Sequence, residues 1–332
     1  MDPQLRQALG LFYSDHTPPN KKTELNQQLQ NFASLEGAWR TCLDTLSGLI
    51  SNQNDVSIAT LEQEIMYYLS VIEHHIRFYW WNEAKISGSD HKVIQHKMLE
   101  TFAKFIEKRY KQSQTATESI AELPCYLVSK LSSTLAAVHV IDLGNFMHTQ
   151  LQHLLDAPQF RVYGYFVIKA VAQDLTNPMV KLPSTKLLEI KKIFFNMVQT
   201  GLFDQTLMEL VKIKNNPELI GSSIAGISNK DLNNIESLAE IYISTIGAIC
   251  TICPTDVCFR PSLVGFVDFI LEESTSTKNS VSGMQVLEEL LSKQDVSSSQ
   301  YAVLEMYWVQ KKLLKTFKYL NYCLFLGSSV VP

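Results

Sequence analysis

A chain of 332 residues exceeds the roughly 250–300 at which one hydrophobic core stops growing, so it forms two domains or an elongated array with a continuous core. Apolar residues at 46% and charged residues at 19% exclude intrinsic disorder, and 13 glycines with 11 prolines are few for a protein of many strands and tight turns. A formal charge of −4 without a basic patch excludes nucleic acid as the main partner.

Apolar residues recur at helical spacing almost throughout. The opening MDPQLRQALGLFYSDH is amphipathic and polar, with no secretory signal, and its spacing predicts a short helix over 4–13. Pro18-Pro19 prevents continuation. Asn20 is placed to cap a second helix with Leu25, Leu29 and Phe32 on one stripe. Gly37 interrupts NFASLEGAWRTCL and opens a third helix, with Trp39, Cys42, Leu43 and Leu46 turned inward. These two helices are expected to form a tight hairpin.

From Leu61 to Trp81, the positions Leu61, Ile65, Tyr68, Leu69, Ile72, Ile76 and Tyr79 share one arc. Glu62, Glu73 and Arg77 lie opposite, the last two spaced for an i,i+4 ion pair. Ser87, Gly88 and Ser89 form a loop, Asp90 is placed as a cap, and a partner helix runs from His91 to Tyr110. Its Ile94, Met98, Leu99, Phe102, Phe105, Ile106 and Tyr110 share one half of the wheel, while Lys97, Glu100, Lys104, Glu107 and Lys108 share the other.

Further pairs are 119–137 with 139–157, 160–177 with 184–213, and 232–253 with 260–273. Pro124 suits a first helical turn, and Pro158, Pro183, Pro217, Pro254 and Pro261 fall between elements. FRVYGYFVI at 160–168 is β-branched and aromatic enough for a strand, but without a partner strand nearby it reads as a buried helix start. The stretches 214–231 and 272–282 read as polar, mobile loops. Ile241 to Cys253 is the most apolar window, but at 13 residues it falls short of the ~20 that span a bilayer, so no membrane partner is expected. Antiparallel helix pairs recurring about every 40–45 residues predict an all-α fold, a HEAT-type α-solenoid.

Candidate chemistry is sparse. Cys250-x-x-Cys253 followed by Cys258 resembles a metal motif, but no second knuckle or His pair completes four ligands. The six cysteines (42, 125, 250, 253, 258, 323) therefore read as reduced core thiols of an intracellular protein, and no metal or cofactor is expected. His74-His75 and His139, His148, His153 lack the spacing of a metal helix and read as surface or edge residues. GSSIAG at 221–226 is neither a phosphate loop nor a nucleophile elbow. With no catalytic triad either, the chain is not expected to be an enzyme. Phe78, Tyr79, Trp80 and Trp81 form an aromatic cluster that reads first as a core plug between repeats and second as a partner anchor.

The run LFYSDHTPPNKKTELNQQLQNFASLEGAWRTCL, with Phe12, Leu25, Leu29, Asn31-Phe32-Ala33, Gly37-Ala38-Trp39-Arg40 and Cys42-Leu43, resembles the start of an exportin of the importin-β (karyopherin) superfamily. IMYYLSVIEHHIRFYW is similar to the outer helix of that family's second repeat, and LTNPMVKLPSTKLLEIKKIFF and IESLAEIYISTIGAICTICP continue the likeness more weakly, patchily to about residue 270. Two features depart from the family: SNQNDVSIATLE is longer than its linker, and exportins continue for several times this length.

The resemblance implies a nuclear export receptor that shuttles between nucleus and cytoplasm. It would bind the small GTPase Ran in its GTP form on inner helices, Phe-Gly nucleoporins in grooves between outer helices, and a protein cargo, actin–profilin in one branch. On that reading the wet faces of the inner helices supply the Ran contacts: Arg40 and Asp44, then Lys97, Glu100, Lys104 and Lys108, then Asn145 and Thr149. Residues 1–157 would form the Ran-facing region, 158–273 further repeats, and 274–332 terminal helices with a divergent, truncated end. The apolar helix expected at 299–325 would leave the isolated chain prone to self-association. The competing expectation is a static helical-repeat scaffold with no Ran dependence.

Overall fold

A computed structural model of the chain describes residues 3–51, 58–115, 125–157, 160–215, 235–260, 262–271, 277–293 and 297. It is an all-α protein of the helical-repeat solenoid type, with no strand among the described residues. The described helices cluster into two compact units, one of the described residues up to Phe194, the other of those from Phe195 to Asn215 and from Ile235 onward. The loop expected at 214–231 falls almost wholly outside the described residues, as do Pro124, Pro158, Pro217, Pro261 and the terminal helix at 299–325.

The first unit begins with α1 (Pro3–Tyr13), α2 (Pro19–Ala33) and α3 (Ala38–Ser51). Pro19 occupies the first helical position, where its missing N–H costs nothing, so Pro18 rather than Asn20 is the N-cap. The Asn20 side chain accepts a hydrogen bond from the Lys21 N–H at 2.9 Å instead. Gly37 takes φ +75°, a left-handed turn that lets α3 start at Ala38, five residues after α2 ends at Ala33. The expected α2–α3 hairpin is not the main pairing. Most of the packing of α2 is against α1, while α3 packs on α4 (Ile58–Tyr79) and α5 (Gly88–Thr115). Trp39, Cys42, Leu43 and Leu46 are buried as α3's apolar stripe requires.

Ser87, not Asp90, caps α5. The Asp90 N–H donates to Ser87 Oγ while Asp90 Oδ2 accepts from the Ser87 N–H, a reciprocal capping box. Of the apolar half of the wheel, Ile94, Met98, Phe102, Phe105 and Ile106 are buried and Leu99 is half-buried, while the Tyr110 side chain lies outside those described. α6 (Cys125–His139) packs against α4, α5 and α9 (Arg161–Thr176). Between α6 and α9 lie a 3₁₀ turn (Val140–Asp142), α7 (Leu143–Phe146), a π segment (Met147–Leu151) and α8 (Gln152–Asp156). Tyr126–Asp156 is long and apolar enough to cross a membrane by length and composition, yet 67% of its apolar window is buried in the fold, as for a core element. FRVYGYFVI is a helix start, and Val162 to Ile168 of α9 are all buried. Gly164 permits this close fit, because a Cβ there would sit 2.9 Å from Leu155 Cδ2.

The helix expected over 184–213 is broken into α10 (Ser184–Met197), a π segment (Val198–Leu202) and α11 (Phe203–Asn215). Gly201 causes the break: its φ of +148° is strained for any residue with a Cβ. Arg260 braces the kink, donating to Gln199 O at 2.6 Å and to Asp204 Oδ2 at 2.8 Å. Gly201→Ala should therefore destabilise the second unit by about 1–2 kcal/mol. Chemical denaturation checks this, and an unchanged midpoint would refute it. The second unit continues with α12 (Ile235–Ile252), a short α13 (Thr255–Cys258), α14 (Leu263–Leu271) and α15 (Thr277–Leu291). The loop expected over 272–282 is thus helical from Thr277, where Asn279 is buried.

Candidate functional site

The residues singled out from the sequence occupy two places. Arg40 and Asp44 lie one turn apart on the outward side of α3, and both are exposed. Lys97, Glu100, Lys104 and Lys108 repeat at three- and four-residue spacing along α5. The packing of α3 on α5 joins the two sets into one polar face. Arg40 bonds Asp90 at the start of α5, Lys97 bonds Asp44, and Lys104 bonds Glu100 within its own helix. The hydrogen bond and charge of Lys104 hold the Glu100 carboxyl below its usual range. Arg40 also lies over the Trp39 ring, 5.1 Å from its centroid. Lys108 is half-buried.

Asn145 and Thr149 bond within their own segment, Asn145 to Asp142 Oδ2 and Thr149 to the Asn145 carbonyl. Both are exposed. Both hydrogen bonds stay within that segment and reach neither α3 nor α5. Local sequence marks Asp90 as a cap and not as the counter-ion of Arg40, because a separation of 50 residues hides the pairing from any local pattern.

Two further expectations change. Glu73 does not pair with Arg77: it takes the Lys130 ammonium and the Thr134 hydroxyl of α6. The side chain of Glu73 is only 14% exposed, so a packed neighbour outcompetes a solvent-facing residue one turn on. His75 and His139 are buried, not surface, histidines. His75 Nε2 is 2.8 Å from the Ala33 carbonyl, and burial lowers its pKa. His139 stacks on Phe146 with ring centroids 4.4 Å apart, and burial depresses its pKa to about 4. His148 and His153 are exposed.

Cys250, Cys253 and Cys258 are fully buried, as core thiols should be. Cys250 and Cys253 hydrogen-bond Cys258, which with burial pushes both thiols up, while accepting these bonds holds Cys258 down. Among the described residues no three His, Cys, Asp or Glu are arranged to hold a metal ion. The aromatic cluster divides by side. Trp80 is 2% exposed and Tyr79 half-buried, whereas Phe78 and Trp81 face water at 60% and 54%.

No protein-family model matches the chain. Over 201 residues, 60% of the chain, it is 27% identical to exportin-6 of Mus musculus and to exportin-6 of Homo sapiens, and 25% identical to exportin-6-A of Xenopus laevis. The chain is thus distantly related to exportins over that span. The matched region covers 16% of the length of the mouse and human relatives.

Proposed function

We propose that this chain acts as a nuclear export receptor of the exportin type and not as an enzyme. The similarity to exportin-6 proteins carries the reading. On this reading Ran in its GTP form binds the α3–α5 face through Arg40, Asp44, Lys97, Glu100, Lys104 and Lys108, with Asn145 and Thr149 as further contacts. A protein cargo, actin–profilin, occupies other repeats, Phe-Gly nucleoporins dock between outer helices, and the protein moves between nucleus and cytoplasm. Ran-GTP and cargo favour the same solenoid curvature, so each strengthens the other's binding. GTP hydrolysis on Ran then releases both.

The ion pairs of the face set what the test should read. Exposed pairs such as Lys97–Asp44 and Lys104–Glu100 each stabilise a fold by under about 1 kcal/mol, so reversing both lysines should hardly move the melting temperature. The same reversal places two negative charges in the interface. Lys97→Glu with Lys104→Glu should weaken Ran-GTP binding about tenfold or more. The chain is immobilised and offered Ran locked in GTP or GDP form. Retention of the GTP form alone is expected, and loss of that preference in the double variant places the contact on α5.

A second reading has one observation in its favour: the polar residues of the face already satisfy one another. That suits a helical-repeat scaffold with no Ran dependence. Equal or absent binding of both nucleotide forms decides for the scaffold.

A further inference from the structure

Away from the α3–α5 face, the C-terminal end of α4 borders an open cleft of about 560 Å³, lined by Arg77, Phe78, Trp80, Trp81, Glu83 and Lys181, among others. The two outward rings, Phe78 and Trp81, rank among the most exposed large apolar side chains described. Adjacent exposed rings rimmed by charge mark interaction sites more often than plain surface.

The cleft is also pre-built. The Trp81 Nε1–H donates to the Lys181 carbonyl at 2.7 Å, so the indole is held across 100 residues of sequence. Behind it Trp80 stacks flat on His91, with ring centroids 4.2 Å apart and planes 6° from parallel, and the Trp80 carbonyl is 2.6 Å from His91 Nε2. A ring fixed before binding loses little rotamer freedom when a partner covers it.

Charge then narrows the partner. Arg6, Arg40, Lys85, Lys97 and Lys130 of the same unit all make ion pairs. Arg77 and Lys181, both exposed, make none among the described residues. Asp174, buried on α9, feels the Arg77 charge without forming an ion pair with it. Glu83 is the one carboxylate of the lining, which leaves the cleft with one excess positive charge. A neutral apolar strand laid here would desolvate two cations with only Glu83 to balance them, which is unfavourable. A carboxylate on the strand removes that cost, and a guanidinium holds it by two parallel bonds.

We propose that the cleft at the end of α4 is a docking site for an acidic peptide segment of a partner protein. One large apolar side chain of the segment packs on Phe78 and Trp81, and flanking carboxylates meet Arg77 and Lys181. Nucleic acid is the weaker fit, since Glu83 opposes phosphate and a backbone of repeated charges needs a wider basic surface.

The test uses the full chain and a short fluorescein-labelled peptide with one leucine between glutamates, read by fluorescence anisotropy. Saturable binding that weakens with salt is expected, and the same peptide with glutamine for every glutamate should bind about tenfold more weakly or worse. Arg77→Glu with Lys181→Glu, at two exposed positions, should lose at least as much while the helical circular-dichroism signal is retained. Trp81→Phe keeps a ring but removes the bond to Lys181, and should give a smaller loss than Trp81→Ala. No binding of the acidic peptide, equal binding of the glutamine peptide, or tighter binding of a labelled single-stranded oligonucleotide would each overturn the proposal. None of these measurements involves Ran, so they stand or fall apart from the export reading.

Discussion

Gly283→Ala should destabilise the second unit by about 2–3 kcal/mol and lower its melting temperature by several degrees. In an open helix the same change stabilises by about 1 kcal/mol, since alanine is the better helix former. Position 283 is not open. A Cβ built there lies 2.2 Å from Ile270 Cγ2 and 3.1 Å from Ile270 Cβ. Ile270 is fully buried on α14 and β-branched, so its side chain cannot swing aside at low cost. The clash outweighs the propensity gain, and α15 must lift from α14. Adding Ile270→Ala to Gly283→Ala removes the clashing atoms, so the two changes should be markedly non-additive. Melting curves of both singles and the double decide it. A single Gly283→Ala that melts at or above wild type would show that α14 and α15 do not approach as described.

The second large effect is hidden in the wild type by cancellation. His139 has its pKa depressed to about 4 by burial, partly offset by a hydrogen bond to the Gln95 backbone and by Asp142. Unfolded, it titrates near 6.5, so below that pH the unfolded state binds the extra proton and stability falls until about pH 4. Asp174 behaves oppositely. Burial raises its pKa to about 6 against 3.8 unfolded, although the Met179 N–H bonds Oδ1 at 2.8 Å. Its Oδ2 is buried with no hydrogen-bond partner among the described residues. Between those values the folded state holds the proton, so stability rises as pH falls. Each group is worth up to about 3 kcal/mol over its window, with opposite sign.

Asp174→Asn should therefore stabilise the protein at pH 7 and then lose stability steeply on acidification from about 6.5 to 4, with buried His75 adding to the fall. His139→Leu should do the reverse and gain stability as pH falls from about 6 to 4. Carboxylates common to all three proteins, such as Asp90 and Glu100, shift every curve alike and drop out of the differences. Urea midpoints across pH 4–7 give the readout. Parallel profiles for wild type and both variants would mean that neither group is buried as charged chemistry requires.

Periodicity and punctuation alone determine a large share of this protein. The buried half of α5, the helical start at FRVYGYFVI and the turn at Gly37 follow from 3.6-residue spacing, from the lack of a partner strand and from a glycine able to take positive φ. Those signals are local, and each is contained within one helix or turn.

What the tertiary structure decided is the set of choices between near-equal local options. Glu73 has Arg77 one turn away, yet it bonds Lys130 and Thr134, because α6 brings them to a half-buried site where a charge must be satisfied. Phe78 and Trp81 turn to water while Trp80 turns in, a division that spacing within four successive aromatics does not rank. The candidate residues of α3 and α5 were legible singly as a wet face. Their pairing of Arg40 with Asp90 and Asp44 with Lys97 arises only where two helices about 50 residues apart come into contact. The pKa values of His139 and Asp174 belong to the same class, since desolvation depends on everything packed around a group and on nothing in its immediate sequence.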